Sequence, residues 1–342
     1  MNKNEKFITG NQAIIEGAKA IGANCMCGYP ITPATEILEE WAKLNSENPK
    51  KYAMIQAEDE TSAGFNTIGA ILAGAKAFSA TAGPGHVLIQ DPLSMAEAMR
   101  IPFVLFAMQR GGPSTGTVIY GQQEVTLACF GGNGEGLRVV YSISSVQEAY
   151  DYSIKAFNVA WQYRFPVIVL GDGYVAKMKQ KIKVSKAPIN IKSQSFFNES
   201  AFRNLRNCFN VESQLAQVLN NDIKEFRSIS KKIVESDQKY CQDAKIIIIA
   251  HGIVWQSVVE AVEILRKKKI KVGCFRPITL NPFDGVTLSR FAAKCDKLII
   301  IESSAGHLER LVKSNLITHV KIECLQKPVE PIAVEEIIRF IK

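Results

Sequence analysis

Three consecutive acids, Glu58, Asp59 and Glu60, stand directly before a run so rich in small residues, from Thr61 to Ala70, that it should be buried. A carboxyl group carried inward with such a run has its proton affinity raised by desolvation, which fits it to hold and pass a proton near neutral pH. An acid in the first turn of a helix also complements the helix macrodipole, and the residues alone leave both roles open. Three further stretches supply complementary chemistry: Gly28-Tyr29-Pro30-Ile31-Thr32-Pro33, Thr81-Ala82-Gly83-Pro84-Gly85 and Arg110-Gly111-Gly112-Pro113-Ser114-Thr115-Gly116. Together they offer one guanidinium fork, several hydroxyls and many free backbone amides, a set suited to a small anionic ligand. Taken singly, each is also ordinary turn chemistry.

The elements that must hold these loops follow from periodicity. Helical patterns at 11–21, 60–73, 91–99 and 146–162 alternate with short apolar runs at 25–28, 76–81, 103–108 and 166–170. That alternation predicts a doubly wound, mainly parallel sheet, and the loops all follow strand ends, where ligands bind in open α/β sheets. Thr32-Pro33 reads as an N-cap hydroxyl followed by a first-turn proline, and Gly83-Pro84-Gly85 as a turn. The rhythm is lost over 184–240, which is rich in Lys, Ser, Asn and Gln and reads as a connection with a helix near 210–234. A second, smaller α/β unit then begins, with strands at 245–250, 271–275 and 297–301 and helices at 255–267, 284–293 and 307–314. The expected organisation is 1–183, a linker 184–240, and 241–342.

Composition narrows the class. With 342 residues, 47% of them hydrophobic, the chain can bury two compact cores. Its longest apolar runs are too short to cross a bilayer and its start lacks a secretion signal, so a cytoplasmic protein without a membrane partner is expected. The 41 basic residues outnumber 33 acidic ones, and the positive charge concentrates in 177–192, 224–232 and 266–271 with no recognised nucleic-acid motif, which argues against nucleic acid. Eight cysteines are scattered, and Cys25-Met26-Cys27 is too tightly spaced for zinc or iron-sulfur ligand pairs, so no metal is assigned to this chain.

The segments "GNQAIIEGAKAIGA", "GYPITPATEI", "AEDETSAG", "TAGPG" and "QRGGPSTG", in that order, resemble the alpha subunit of the 2-oxoacid:ferredoxin oxidoreductases, and the likeness resumes at "KVGCFRPITLNPF" and "IIIESSAGHLERLV". The resemblance implies a pyrimidine-binding domain of a thiamine-diphosphate enzyme followed by a domain like the C-terminal one of transketolase. It implies oxidative decarboxylation of a 2-oxoacid, 2-oxoglutarate foremost with pyruvate or a branched-chain oxoacid as alternatives, to an acyl-CoA with electrons passing to ferredoxin; the rival expectation is a non-catalytic structural subunit of such a complex. It makes Glu60 the residue that shares a proton with the cofactor's aminopyrimidine, with Gly69 as the helix glycine nine residues later, and leaves Glu58 and Asp59 a structural role. Pro30, Gly83 and Pro84 become cofactor contacts. Thr32 and Arg110 would meet the oxoacid, helped by Ser114 and Thr115. A beta subunit would complete the thiamine-diphosphate site and carry Mg²⁺, while iron-sulfur clusters would sit in partners such as gamma and ferredoxin-like delta subunits.

The sequence also departs from the family. Where the family commonly has Leu-Pro-Thr-Lys after Gly116 and later Gln-x-Asp, this chain has Thr117-Val118-Ile119-Tyr120 and Gln123-Glu124-Val125. A distal substrate carboxylate would need a second cation, for which Arg100 is a candidate. His86, next to the TAGPG segment, either lines the pocket or packs. Gly171-Asp172-Gly173 with Asn198 imitates a metal-diphosphate signature, but Asp172 is better read as the end of a strand.

Overall fold

Strands joined through helices lie parallel, because each helix carries the chain back along the sheet before the next strand begins. The computed structural model describes residues 4–197 and 205–341. In the first unit the order is β1 (Glu5–Thr9), α1 (Gly10–Ala20), β2 (Cys25–Gly28), α2 (Thr35–Glu47), β3 (Ala53–Gln56), α3 (Glu60–Leu72), β4 (Ala77–Thr81), α4 (Pro84–Leu88), α5 (Gln90–Ala98), β5 (Val104–Gln109), α6 (Val125–Phe130), β6 (Val139–Ser142), α7 (Val146–Tyr163), β7 (Val167–Asp172), α8 (Gly173–Lys177) and β8 (Lys179–Lys183). The long helix α9 (Glu212–Ile233) leads into β9 (Ser236–Lys239), β10 (Ile246–Ile249), α10 (Val254–Lys267), β11 (Val272–Pro277), β12 (Thr279–Asn281), α11 (Gly285–Ala292), β13 (Lys297–Glu302), α12 (His307–Asn315), β14 (Lys321–Gln326) and α13 (Val334–Ile341).

Besides an antiparallel pair of β1 and β8, there is one sheet of seven strands in the order β12-β6-β7-β5-β4-β2-β3 and one of five in the order β14-β13-β10-β11-β9. The seven- and five-stranded sheets are parallel except for one antiparallel edge strand each, β12 and β9. Strand β12 is the notable one: it follows β11 in the chain yet leaves that sheet to pair with β6 of the other. Its register brings Thr279 opposite Tyr141, so one short run welds the two units together. Sequence periodicity has no means of showing this, because a three-residue strand carries too little pattern. Strand β9 lies in the stretch expected to be a connection, but it pairs with β11 from Ser236 to Lys239.

Small and aromatic residues fill the core under the first sheet. Phe78 stands edge-on to Trp41, Phe106 and Phe157 at centroid separations of 5.0, 5.6 and 5.9 Å, a favourable arrangement for ring quadrupoles. Helix α1 begins with a capping box between Thr9 and Gln12, and α7 is capped by Ser145. No helix among the described residues is long and apolar enough to cross a membrane.

Candidate active site

Glu60 is the acid that turns inward. Asp59 caps α3 by accepting from Ser62 N–H at 2.7 Å, and Glu58 stays exposed. Glu60 follows as the first helical residue and is only 3% exposed. Its Oε1 is buried without a hydrogen-bond partner among the described residues. Burial pushes its carboxyl above the usual carboxylate range and Asp59 adds to this, while Thr81 and Arg110 pull the other way. Asp59 itself is held below its ordinary value by the Ser62 amide.

The Gly83-Pro84-Gly85 segment, expected to be a turn, opens the short helix α4, and it sits between Glu60 and Arg110. A Cβ on Gly85 would lie 2.0 Å from Glu60 Oε1 and 2.4 Å from Thr81 Oγ1. A Cβ on Gly83 would lie 2.7 Å from Arg110 Nε, and Gly83 holds a positive φ of 52°. Glycine is therefore required at both ends, once for space and once for backbone conformation as well. Arg110 is buried and donates from Nη1 to Thr32 O at 2.8 Å, leaving Nε buried with no partner among the described residues.

Glu124, which in the sequence stands out only as a departure from the family pattern, holds this constellation together. Its Oε1 accepts from Gly83 N–H at 3.0 Å and from Arg110 N–H at 2.9 Å, and its Oε2 pairs with His86 Nδ1 at 2.8 Å. His86 is fully buried, so of its two expected roles packing is the one observed. Gln123 Oε1 receives Gly112 N–H at 2.6 Å and closes the glycine-rich loop on itself just before α6. A cavity of about 570 Å³ opens here, lined by Gly83, Pro84, Arg110, Ser114 and Glu124 among others. Val87, Leu88, Pro113 and Leu127 make much of the remaining wall apolar, and Arg110 is the one cation among the described lining residues.

Other expected residues fall elsewhere. Thr32 does not cap α2: Ala34 N–H folds back to Ile31 O at 2.9 Å, so the helix starts only at Thr35 and the cap position is Ala34. Thr32 instead meets Arg110 through its main-chain oxygen. Thr115 is exposed on the Arg110 loop and Pro30 is half-buried on its own, and neither lines the cavity. Gly69 faces open space, on the opposite side of α3 from Glu60, whereas Gly64 packs on Pro92. Arg100 is not available as a second substrate cation. It is bound to Asp222 at 2.5 Å and Glu225 at 2.9 Å, donates to two carbonyls and stacks on Phe165 at 3.8 Å, which spends its fork on anchoring α9. Asp172 ends β7 and caps α8 through Tyr174 and Val175 amides, its carboxyl pushed up to about 6 by burial. Asn198, its suggested companion, lies outside the described residues.

An α/β chain that gathers a desolvated carboxyl, a half-used guanidinium and a glycine turn at the ends of parallel strands has groups of the kind that can bind a small anion and exchange a proton. Residues 16–245 match the family described as pyruvate flavodoxin/ferredoxin oxidoreductase, thiamine-diphosphate-binding, and residues 244–335 match pyruvate:ferredoxin oxidoreductase core domain II. The chain belongs to this family. It is 32% identical to the 2-oxoglutarate synthase subunit KorA of Methanothermobacter marburgensis over 94% of each chain. It is 30% identical to the ketoisovalerate oxidoreductase subunit VorB of the same organism over 90% of this chain and 89% of that one. The solved 2-oxoglutarate:ferredoxin oxidoreductase of Magnetococcus marinus, with 2-oxoglutarate, coenzyme A and succinyl-CoA bound, superposes with a TM-score of 0.91 at 26% identity. The match covers 99% of this chain but 65% of that one. A split-gene transketolase at 12% identity and a TM-score of 0.58 shares the fold alone.

Proposed function

We propose that this chain is the alpha subunit of a 2-oxoacid:ferredoxin oxidoreductase, contributing Glu60 and Arg110 to a site that converts a 2-oxoacid and coenzyme A to an acyl-CoA and CO₂. The observation that carries the reading is the unpartnered, buried Oε1 of Glu60. A buried carboxyl oxygen without a donor is costly unless something else pairs with it, and an aminopyrimidine ring nitrogen is a fitting partner. Thiamine diphosphate, when bound, supplies a nucleophilic carbon and an electron sink for decarboxylation.

This chain's residues have three tasks. Glu60 holds and exchanges a proton at Oε1, its raised proton affinity bringing that exchange nearer neutral pH. Arg110, with Nη1 occupied by Thr32 O and Nε still unpaired, takes the substrate carboxylate along its free edge and fixes the neighbouring ketone. The hydroxyls of Thr32 and Ser114 add hydrogen bonds to the carbonyl end, and Gly83 and Pro84 form the cofactor's floor, whereas Pro30 and Thr115 stand outside the cavity lining and are given no contact in this reading. Exposed Val87 and Leu88, at 59% and 47% exposure, line this cavity and give a beta subunit that completes the diphosphate and Mg²⁺ site an apolar surface to cover. Iron-sulfur clusters in gamma and ferredoxin-like delta partners take the electrons onward to ferredoxin, and a cytoplasmic location suits that reductive chemistry.

Substrate preference follows 2-oxoglutarate, on the strength of the KorA relatives. A branched-chain oxoacid is the second reading, favoured by the apolar lining at Val87, Leu88 and Leu127. Assembly with the native partner chains, followed by CO₂ release from each oxoacid with coenzyme A and a low-potential dye, tests both. Turnover of neither of these nor of pyruvate would refute the reading.

A further inference from the structure

The loop carrying Arg110 closes on itself through Thr117 N–H to Gly111 O at 2.8 Å and Gly112 N–H to Gln123 Oε1 at 2.6 Å, but nothing in those bonds fixes it to the rest of the molecule. The second α/β unit does. Gln122 is fully buried, and its main-chain N–H donates to Ser303 O at 3.1 Å. Its side-chain Oε1 accepts from Ser303 N–H at 3.1 Å and its Nε2 donates to His251 O at 3.0 Å. Gly252, at φ +56°, makes room for that amide, since a Cβ there would lie 2.7 Å from Gln122 Nε2. On the other side, Val329 presses on the loop so closely that a Cβ on Gly111 would lie 2.1 Å from its Cγ1.

We infer that Gln122 is a positioning residue through which the second unit sets the placement of Arg110, with Val329 as its backstop. Gln122 stands two residues before Glu124, the acceptor of the Arg110 and Gly83 amides, so a shift at Gln122 reaches the guanidinium through one short rigid stretch. The part of this inference that concerns substrate rests on the proposed role of Arg110. The part that concerns the loop does not.

Gln122→Met keeps the volume and removes both side-chain hydrogen bonds. In the full chain, amide exchange over 110–117 and at Gly83 should speed by about tenfold while the β5 and β7 amides keep their rates. In the assembled complex the KM for 2-oxoglutarate or ketoisovalerate should rise about tenfold with kcat within about twofold, because misplaced binding groups weaken substrate and transition state alike. Gln122→Glu, which retains the acceptor for Ser303 N–H, should recover part of the KM, and Val329→Ala should raise KM without touching a hydrogen bond. Faster loop exchange with unchanged KM supports the positioning role and removes Arg110 from substrate binding. Unchanged exchange over 110–117, or an equal increase across the whole sheet with a lower Tm, overturns the inference.

Discussion

Gly85 and Glu60 are in such close register that the carboxyl oxygen Oε1 lies only 2.0 Å from where a Cβ on Gly85 would be. The space a side chain would need at position 85 is already filled by the acid from α3, with Thr81 on the other flank at 2.4 Å. Gly85→Ala should therefore displace Glu60 rather than merely crowd the core. Overpacking of this kind costs about 1–3 kcal/mol of stability, whereas turnover should fall by more than about tenfold through loss of the proton-sharing geometry. Thermal unfolding and kcat measured on the same preparation separate the two effects. A variant that loses stability but keeps its turnover would place Glu60 outside the reaction.

Arg110→Lys preserves charge while removing the planar fork. With Nη1 already given to Thr32 O, a lysine can replace either the loop contact or the substrate contact but not both. The KM for the 2-oxoacid should rise by about tenfold or more, and steady-state kinetics on the assembled complex would show it. A KM within twofold of the unsubstituted enzyme would mean that the carboxylate is held elsewhere.

Lys76 gives a pH-dependent prediction away from the site. It is 3% exposed, and its ammonium donates to Ile21 O, Asn190 Oδ1 and Ile191 O, with no carboxylate among these partners. Burial lowers its pKa from 10.5 to about 8. Because the folded-state value is the lower one, the unfolded chain binds more protons between about 8 and 10.5, and stability rises with pH across that window. The penalty is fully present below about pH 8. Denaturant unfolding of the unsubstituted chain and of Lys76→Met should thus show a difference that moves in favour of Lys76 as pH goes from 8 to 10. A flat difference would mean that water or a carboxylate reaches the ammonium.

Arg100 separates anchoring from specificity. Its bonds to Asp222 and Glu225 and its stacking on Phe165 hold α9 against the first unit. Arg100→Met leaves Asp222 half-buried without its cation, at a cost of about 3 kcal/mol, and should expose α9 to proteolysis. The ratio of KM for 2-oxoglutarate to that for ketoisovalerate should stay the same. A selective rise for 2-oxoglutarate would return Arg100 to the substrate site.

How far the sequence spoke depended on how local each signal was. The small-residue helix, the Gly83-Pro84-Gly85 segment and the Arg110 loop were legible because steric demands and strand-end positions leave marks within a few residues. The role of Glu124 was not, since it follows from three donors, Gly83, His86 and Arg110, that meet only when two strand ends are brought together. Thr32 carries the signature of a cap without being one, because Thr-Pro looks the same locally whether the helix starts at once or, as here, after the Ile31–Ala34 turn. Gly69 stands in α3 at the expected spacing of nine residues, which is two and a half turns and so faces it away from Glu60. Strand β12 escaped because its partner β6 belongs to the other unit.

The exchange rate of the C2 proton of thiamine diphosphate bound to the assembled complex, compared between the unsubstituted enzyme and Glu60→Gln, bears most directly on the central claim. Glutamine keeps the size and burial of the side chain but cannot share a proton at Oε1. The account predicts exchange slowed by at least about a hundredfold, with cofactor still bound. Exchange at the unsubstituted rate would contradict it.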